Sequence, residues 1–121
     1  SACRVLAEFG KSLSPEASED KLRLYGQLTA SLVVLRRMSI SVASLLESGV
    51  MPDTEAALIK ELGNSYERLV PELVRLHLPG AVPKGLAEAL DECILHAPSF
   101  TLRGGTREIL RGMIARGLGL R

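Results

Sequence analysis

The sequence predicts an all-α protein: an antiparallel four-helix bundle of long helices joined by short Pro/Gly connectors, forming one domain over residues 1–121. Three observations carry this expectation. Apolar residues make up 46% of the chain while aromatics make up 3% and Trp is absent, so the core is aliphatic, which suits helix-on-helix packing. Apolar residues recur at spacings of three, four and seven over long stretches. No stretch alternates in the manner of a strand. A chain of 121 residues buries a core without staples, and its apolar content argues against disorder.

The elements follow in order. "ACRVLAEFG" reads as the last turns of a helix stopped by Gly10. Ser14 followed by Pro15 is a helix start, with a capping hydroxyl and then a proline whose missing N–H costs nothing in the first turn. Glu16, Glu19 and Asp20 then lie near the positive end of the helix dipole. The helical pattern runs from about Pro15 to Ser48, with Leu24, Leu28, Leu32, Leu35, Val42 and Leu46 as its stripe, widened by Val34, Met38 and Leu45, and Gly49 as its stop. A second long helix covers about Asp53 to Leu76 with the stripe Ile59, Leu62, Tyr66, Leu69, Leu73 and Leu76, kinked at Pro71. "LPGAVPKG" is a connector. A third helix, about Pro83 to His96, carries Leu86, Leu90, Cys93 and Ile94, with Ala89 and Ala97 beside them. "APSFTLRGG" breaks the pattern. A last helix, about Thr106 to Arg116, presents Ile109, Met113 and Ile114.

Several function classes lack support. Net charge is +1, so bulk electrostatics do not drive binding to nucleic acid or to a membrane. A basic face of Arg103, Arg107, Arg111 and Arg116 has few aromatics for bases to stack on. The two cysteines, Cys3 and Cys93, have no metal-ligand spacing and read as free thiols in a reducing compartment, hence a cytoplasmic location. No apolar run approaches the ~20 residues of a membrane span. His77 and His96 lie near helix ends, where the dipole favours them. No nucleophile elbow, HExxH or P-loop is present, and no metal site or catalytic residue is assigned. Glu47, Glu55, Glu61, Glu67, Glu72 and Glu88 read as solvated faces.

"RGGTREILRGMIARGLGLR" is different. Gly104 and Gly105 permit backbone angles denied to other residues. Thr106 caps the helix behind them. The unpaired N–H groups of such a helix start are suited to an anion, phosphate above all; a plain tight turn into a capped helix is the alternative. Arg107 and Arg111 share a face at i,i+4 and read either as phosphate ligands or as a solvated basic face.

This run resembles the C-terminal end of acyl-CoA dehydrogenases, in which a GGT-x-EI-x-R-x-x-IA-x-x-x-LGL pattern closes a helical domain. Gly104, Gly105, Thr106, Glu108, Ile109, Arg111, Ile114, Ala115, Leu118, Gly119 and Leu120 match in spacing. "PDTEAALIKELGNSYERLVPEL" is similar to the family's second bundle helix, so the resemblance covers essentially the whole chain. It implies an FAD enzyme in which a carboxylate removes the α-proton of an acyl-CoA thioester and FAD takes the β-hydride. It further implies that Gly104, Gly105, Thr106 and Glu108 contact FAD, and that the bundle builds a homo- or hetero-oligomer. An acyl-CoA substrate, an electron acceptor and the remaining domains of a parent chain are the other implied partners.

Three positions depart from the family pattern. Gly104 stands where many members carry the catalytic glutamate. Leu6 stands where an arginine precedes Phe9 and Gly10. "LHLPGAVP" replaces a Gln and double-Gly element. The chain, which begins at Ser1, is therefore expected to be part of a longer flavoprotein and to lack dehydrogenase activity by itself. The alternative expectation is a non-catalytic helical assembly module, or a degenerate subunit supporting an active partner. Arg107 is read as a solvated neighbour of the positions that match the pattern.

Overall fold

The computed structural model describes residues 1–78 and 80–120; Pro79 of the predicted connector and Arg121 lie outside them. Five helices account for most of the chain, with no strand among the described residues: α1 (Ala2–Ser12), α2 (Glu19–Glu47), α3 (Asp53–Leu76), α4 (Lys84–Phe100) and α5 (Arg107–Gly117). α3 is the hub. It touches each of the other four helices, while among the described residues α5 meets no helix but α3, and α2 meets α1 and α3. Contacts fix the directions. Leu28 meets Tyr66 while Val42 and Leu45 lie opposite Leu58 and Ile59, so α2 and α3 run antiparallel. Thr54 meets Gly117 and Glu61 meets Arg111, so α3 and α5 do too.

Several boundaries differ from the sequence expectation, each for a local reason. α1 continues through Gly10 to Ser12. Gly10 is there for space: a Cβ on it would meet the Tyr25 ring at 2.7–2.8 Å. Ser14 and Pro15 form a turn instead of a helix start, Ala17 N–H donating to Ser14 O. The cap is Ser18, whose Oγ accepts from Lys21 N–H at 3.4 Å, placing Glu19 and Asp20 in the first turn where the dipole favours them. Gly49 ends α2 as expected, with φ 80° and Val50 N–H returning to Leu45 O. α4 runs past His96 and takes Pro98 inside it, ending at Phe100.

The core lies where α1, the start of α2, the second half of α3 and α4 meet. Ala2, Val5, Leu6, Phe9, Leu24, Leu28, Tyr66, Val70, Val74, Leu86, Ala89, Leu90 and Cys93 form it. The stripe expected on α4 is the one observed, except that Ile94 is exposed. The stripe expected on α3 is only half right. Its buried face runs through Ala57, Glu61, Asn64, Tyr66, Val70, Pro71 and Val74, while Leu62, Leu69 and Leu76 are exposed. A helix surrounded on several sides has no single apolar stripe. On α5 the buried residue is Leu110; Ile109 and Met113 face outward.

The largest departure is α2. Only Leu24 and Leu28 are buried; Val33, Val34, Ile40 and Leu46 are exposed. An 18-residue window of this helix has mean hydropathy 1.4 with 6% of it buried. By length and composition it is therefore able to cross a bilayer, contrary to the expectation from apolar runs. Arg36 and Arg37 fall near its middle, where each charge costs several kcal/mol in lipid, so the helix is read here as a surface helix with an uncovered apolar side.

Candidate functional site around the double-glycine turn

Residues 101–106 carry the chain from α4 into α5. Gly104 and Gly105 have φ of 75° and 110°, in the left-handed region where a side chain is strained. Gly104 also gives up space: a Cβ there would stand 3.3 Å from Lys60 Cε and 3.9 Å from its Nζ. Thr106 is the N-cap (φ −71°, ψ 166°), its Oγ1 accepting from Ile109 N–H at 3.5 Å. Glu108 is exposed. The hydrogen bond from its own backbone N–H, and then one from the Thr106 hydroxyl, hold its carboxyl below the usual carboxylate range. The four residues singled out from sequence thus sit together at one helix start.

A surface cleft of about 240 Å³ opens beside them, lined by Arg68, Thr101, Leu102, Thr106, Arg107 and Glu108. A second, of about 330 Å³, is lined by Ser65, Arg68, Leu69, Glu72 and Arg107. Arg68 and Arg107 border both. Arg68 is exposed and has no ion-pair partner among the described residues, while Glu72 and Glu108 stand on the walls of these clefts.

Arg107 is not a solvated neighbour, and Glu61 is not on a solvated face. The Glu61 carboxylate is 8% exposed and takes both arginines on Oε1: Arg107 Nε at 3.1 Å and Arg111 Nε at 3.0 Å. Ser65 Oγ donates to its Oε2 at 3.1 Å, and Arg107 Nη2 reaches Ser65 Oγ at 3.4 Å. Burial pushes the Glu61 carboxyl up, but the hydrogen bonds from Arg107, Arg111 and Ser65 outweigh it, leaving it below the ordinary value. This cluster, with Leu110, pins α5 to α3 and so sets where the turn lies. Glu61, Ser65, Arg68 and Glu72 recur on α3 at offsets of four, seven and eleven, a polar stripe on one helix face. That spacing was the available signal for the residues the sequence reading passed over.

Other positions bear on the family pattern. Leu6 is buried in the core, so this residue offers nothing to a ligand. His77 Nδ1 lies 2.8 Å from Leu73 O and His96 is exposed. No group of His, Cys, Asp and Glu among the described residues is placed to hold a metal ion. Cys3 is exposed and Cys93 buried, both as free thiols.

Comparisons with protein-family models, with curated proteins and with solved structures found no match to this chain.

Proposed function

We propose that this chain is the C-terminal helical domain of a flavin-dependent acyl-CoA dehydrogenase, acting in the α,β-oxidation of an acyl-CoA thioester to an enoyl-CoA. In this reading its helices belong to an antiparallel four-helix bundle, and it contributes an FAD contact and an oligomer interface. The observation that carries the reading is the turn: residues matching the family run in spacing also form a left-handed Gly-Gly corner that delivers Thr106 and the start of α5 to one cleft.

The donor set fits part of such a cofactor. The Arg68 guanidinium suits a phosphate oxygen, and the Thr106 hydroxyl, which donates to the Glu108 carboxyl in the free protein, borders the same cleft. The Glu108 carboxylate competes with an anion for the helix start, which restricts the contact to the Thr106–Arg68 side. When bound, FAD supplies hydride acceptance. Gly104 has no side chain to remove the α-proton, so this turn positions and does not catalyse.

The oligomer interface belongs on the groove between α2 and α3, about 410 Å³, walled by Val34, Leu35, Met38, Leu62 and Leu69. Apolar side chains gathered along one groove are the kind of surface a partner covers.

The test is flavin retention by the full-length protein. We expect FAD to co-purify, and Thr106→Val or Arg68→Ala to weaken its binding about tenfold, the loss of one hydrogen bond to a charged group. Purification without FAD, together with no effect of either substitution, would favour the second reading, a non-catalytic helical assembly module. That reading draws on Leu6 in the core and on the uncovered side of α2.

A further inference from the structure

A separate cleft of about 360 Å³ is bounded by α1, α2, α3 and the end of α4. Leu32, Leu35, Ile59 and Phe100 make its apolar walls, and Lys60 and Asn64 give it a polar end. Asn64 is 4% exposed, and its side-chain nitrogen is buried without a hydrogen-bond partner. Leaving such a donor unpaired costs about 1–3 kcal/mol, and native proteins rarely tolerate it without a use. Lys60, one turn earlier, is half-buried and has no ion pair among the described residues. Its side chain lies beside Gly104, where a Cβ would stand 3.3 Å from Lys60 Cε, a tight contact. The remaining charge on the wall, Glu67, is engaged: its Oε2 accepts from Ala2 N–H at 2.7 Å.

We propose that this cleft binds a small apolar carboxylate, its ring or alkyl body between Leu35 and Phe100 and its oxygens held by Lys60 and Asn64. A cation and an amide donor at one end of an apolar cleft are complementary to an anionic oxygen on an apolar body. The amide torsion of asparagine is broad and nearly two-fold, so Asn64 turns its N–H₂ toward the ligand without backbone movement. The site uses other donors than the flavin contact, Lys60 and Asn64 in place of Thr106 and Arg68, although Lys60 also lies against Gly104 of the turn.

The experiment is titration of the isotope-labelled full chain with benzoate, followed by NMR. Benzyl alcohol, with the ring but no charge, and inorganic phosphate, with charge but no ring, are the parallel probes. Benzoate is expected to shift the Asn64 side-chain amide and Phe100 saturably, and each of the other two probes to bind at least about tenfold more weakly, the equivalent of one charge-assisted contact. Lys60→Met is expected to weaken benzoate about tenfold while leaving the fold intact. Asn64→Leu is expected to remove saturable binding without lowering the melting temperature, because the amide nitrogen bonds nothing in the free protein. Absence of a saturable benzoate shift, equal binding of benzyl alcohol, unchanged affinity in Lys60→Met, or marked destabilisation by Asn64→Leu would each overturn the proposal.

Discussion

Glu61 is the residue at which burial and charge compete most directly. Two arginines and a serine converge on its carboxylate, and their hydrogen bonds prevail over desolvation. Because Arg107 and Arg111 are 36% and 63% exposed, solvent screens the pairing. Glu61→Gln is therefore expected to cost about 1–2 kcal/mol rather than the larger loss of a fully buried pair, measured by denaturant unfolding. The sign of the pH effect follows from the lowered folded-state pKa. This contribution is complete above the unfolded value, ordinarily about 4.3, and is lost as pH falls through the folded value below it. Acid titration of wild type against Glu61→Gln should show the two stabilities converging below about pH 4. Tyr66 gives a second test at this scale. Burial pushes its phenol up to about 12, and its hydroxyl donates to Leu28 O at 3.0 Å. Tyr66→Phe is expected to cost about 0.5–1 kcal/mol, the lower part of the range for a hydrogen bond.

Among the elements, α5 is the most conditional. Among the described residues it meets no helix but α3; it buries Leu110, and is held by the Glu61 cluster at its start and by close packing at its end. There Gly117 lies against Thr54, so near that a Cβ would collide with the threonine side chain. Gly112, in the same helix, has nothing within 4 Å of its Cβ position. Gly117→Ala should therefore destabilise the docking of α5, seen as faster amide exchange along residues 107–117. Gly112→Ala should stabilise the protein by about 0.5–1 kcal/mol through helix propensity alone. Equal responses at the two positions would contradict this packing. Helix propensity treats the two glycines alike; the contact with Thr54 separates them.

For the whole molecule, the unbalanced burial of α2 is the dominant fact. A 29-residue helix with two buried side chains leaves an apolar groove against α3 open along much of its length. If this is the oligomer interface of the proposed function, the melting temperature should rise with protein concentration. Replacing Val34 and Met38 by Ser should abolish that dependence while leaving the α1–α3–α4 core folded. Sedimentation of wild type at high concentration as a strict monomer would count against it.

Much of this arrangement was legible beforehand. The all-helical class followed from aliphatic composition and periodicity, and the stops at Gly49 and the cap at Thr106 followed from local backbone chemistry, which acts over four residues or fewer. The α4 stripe was legible because α4 buries one continuous side. The α3 stripe was not, since four neighbours surround that helix and its buried positions include a carboxylate and an amide. The sequence by itself determined the all-helical class, the glycine corner at Gly104 and Gly105, and the residues gathered at the start of α5. Only the tertiary structure decided that Glu61 is buried between two arginines, that Arg68 shares the cleft with Thr106, and that Lys60 lies beside Gly104. Those pairings join positions about 40 residues or more apart in sequence, so no local propensity encodes them; they arise from which face α3 turns toward each neighbour.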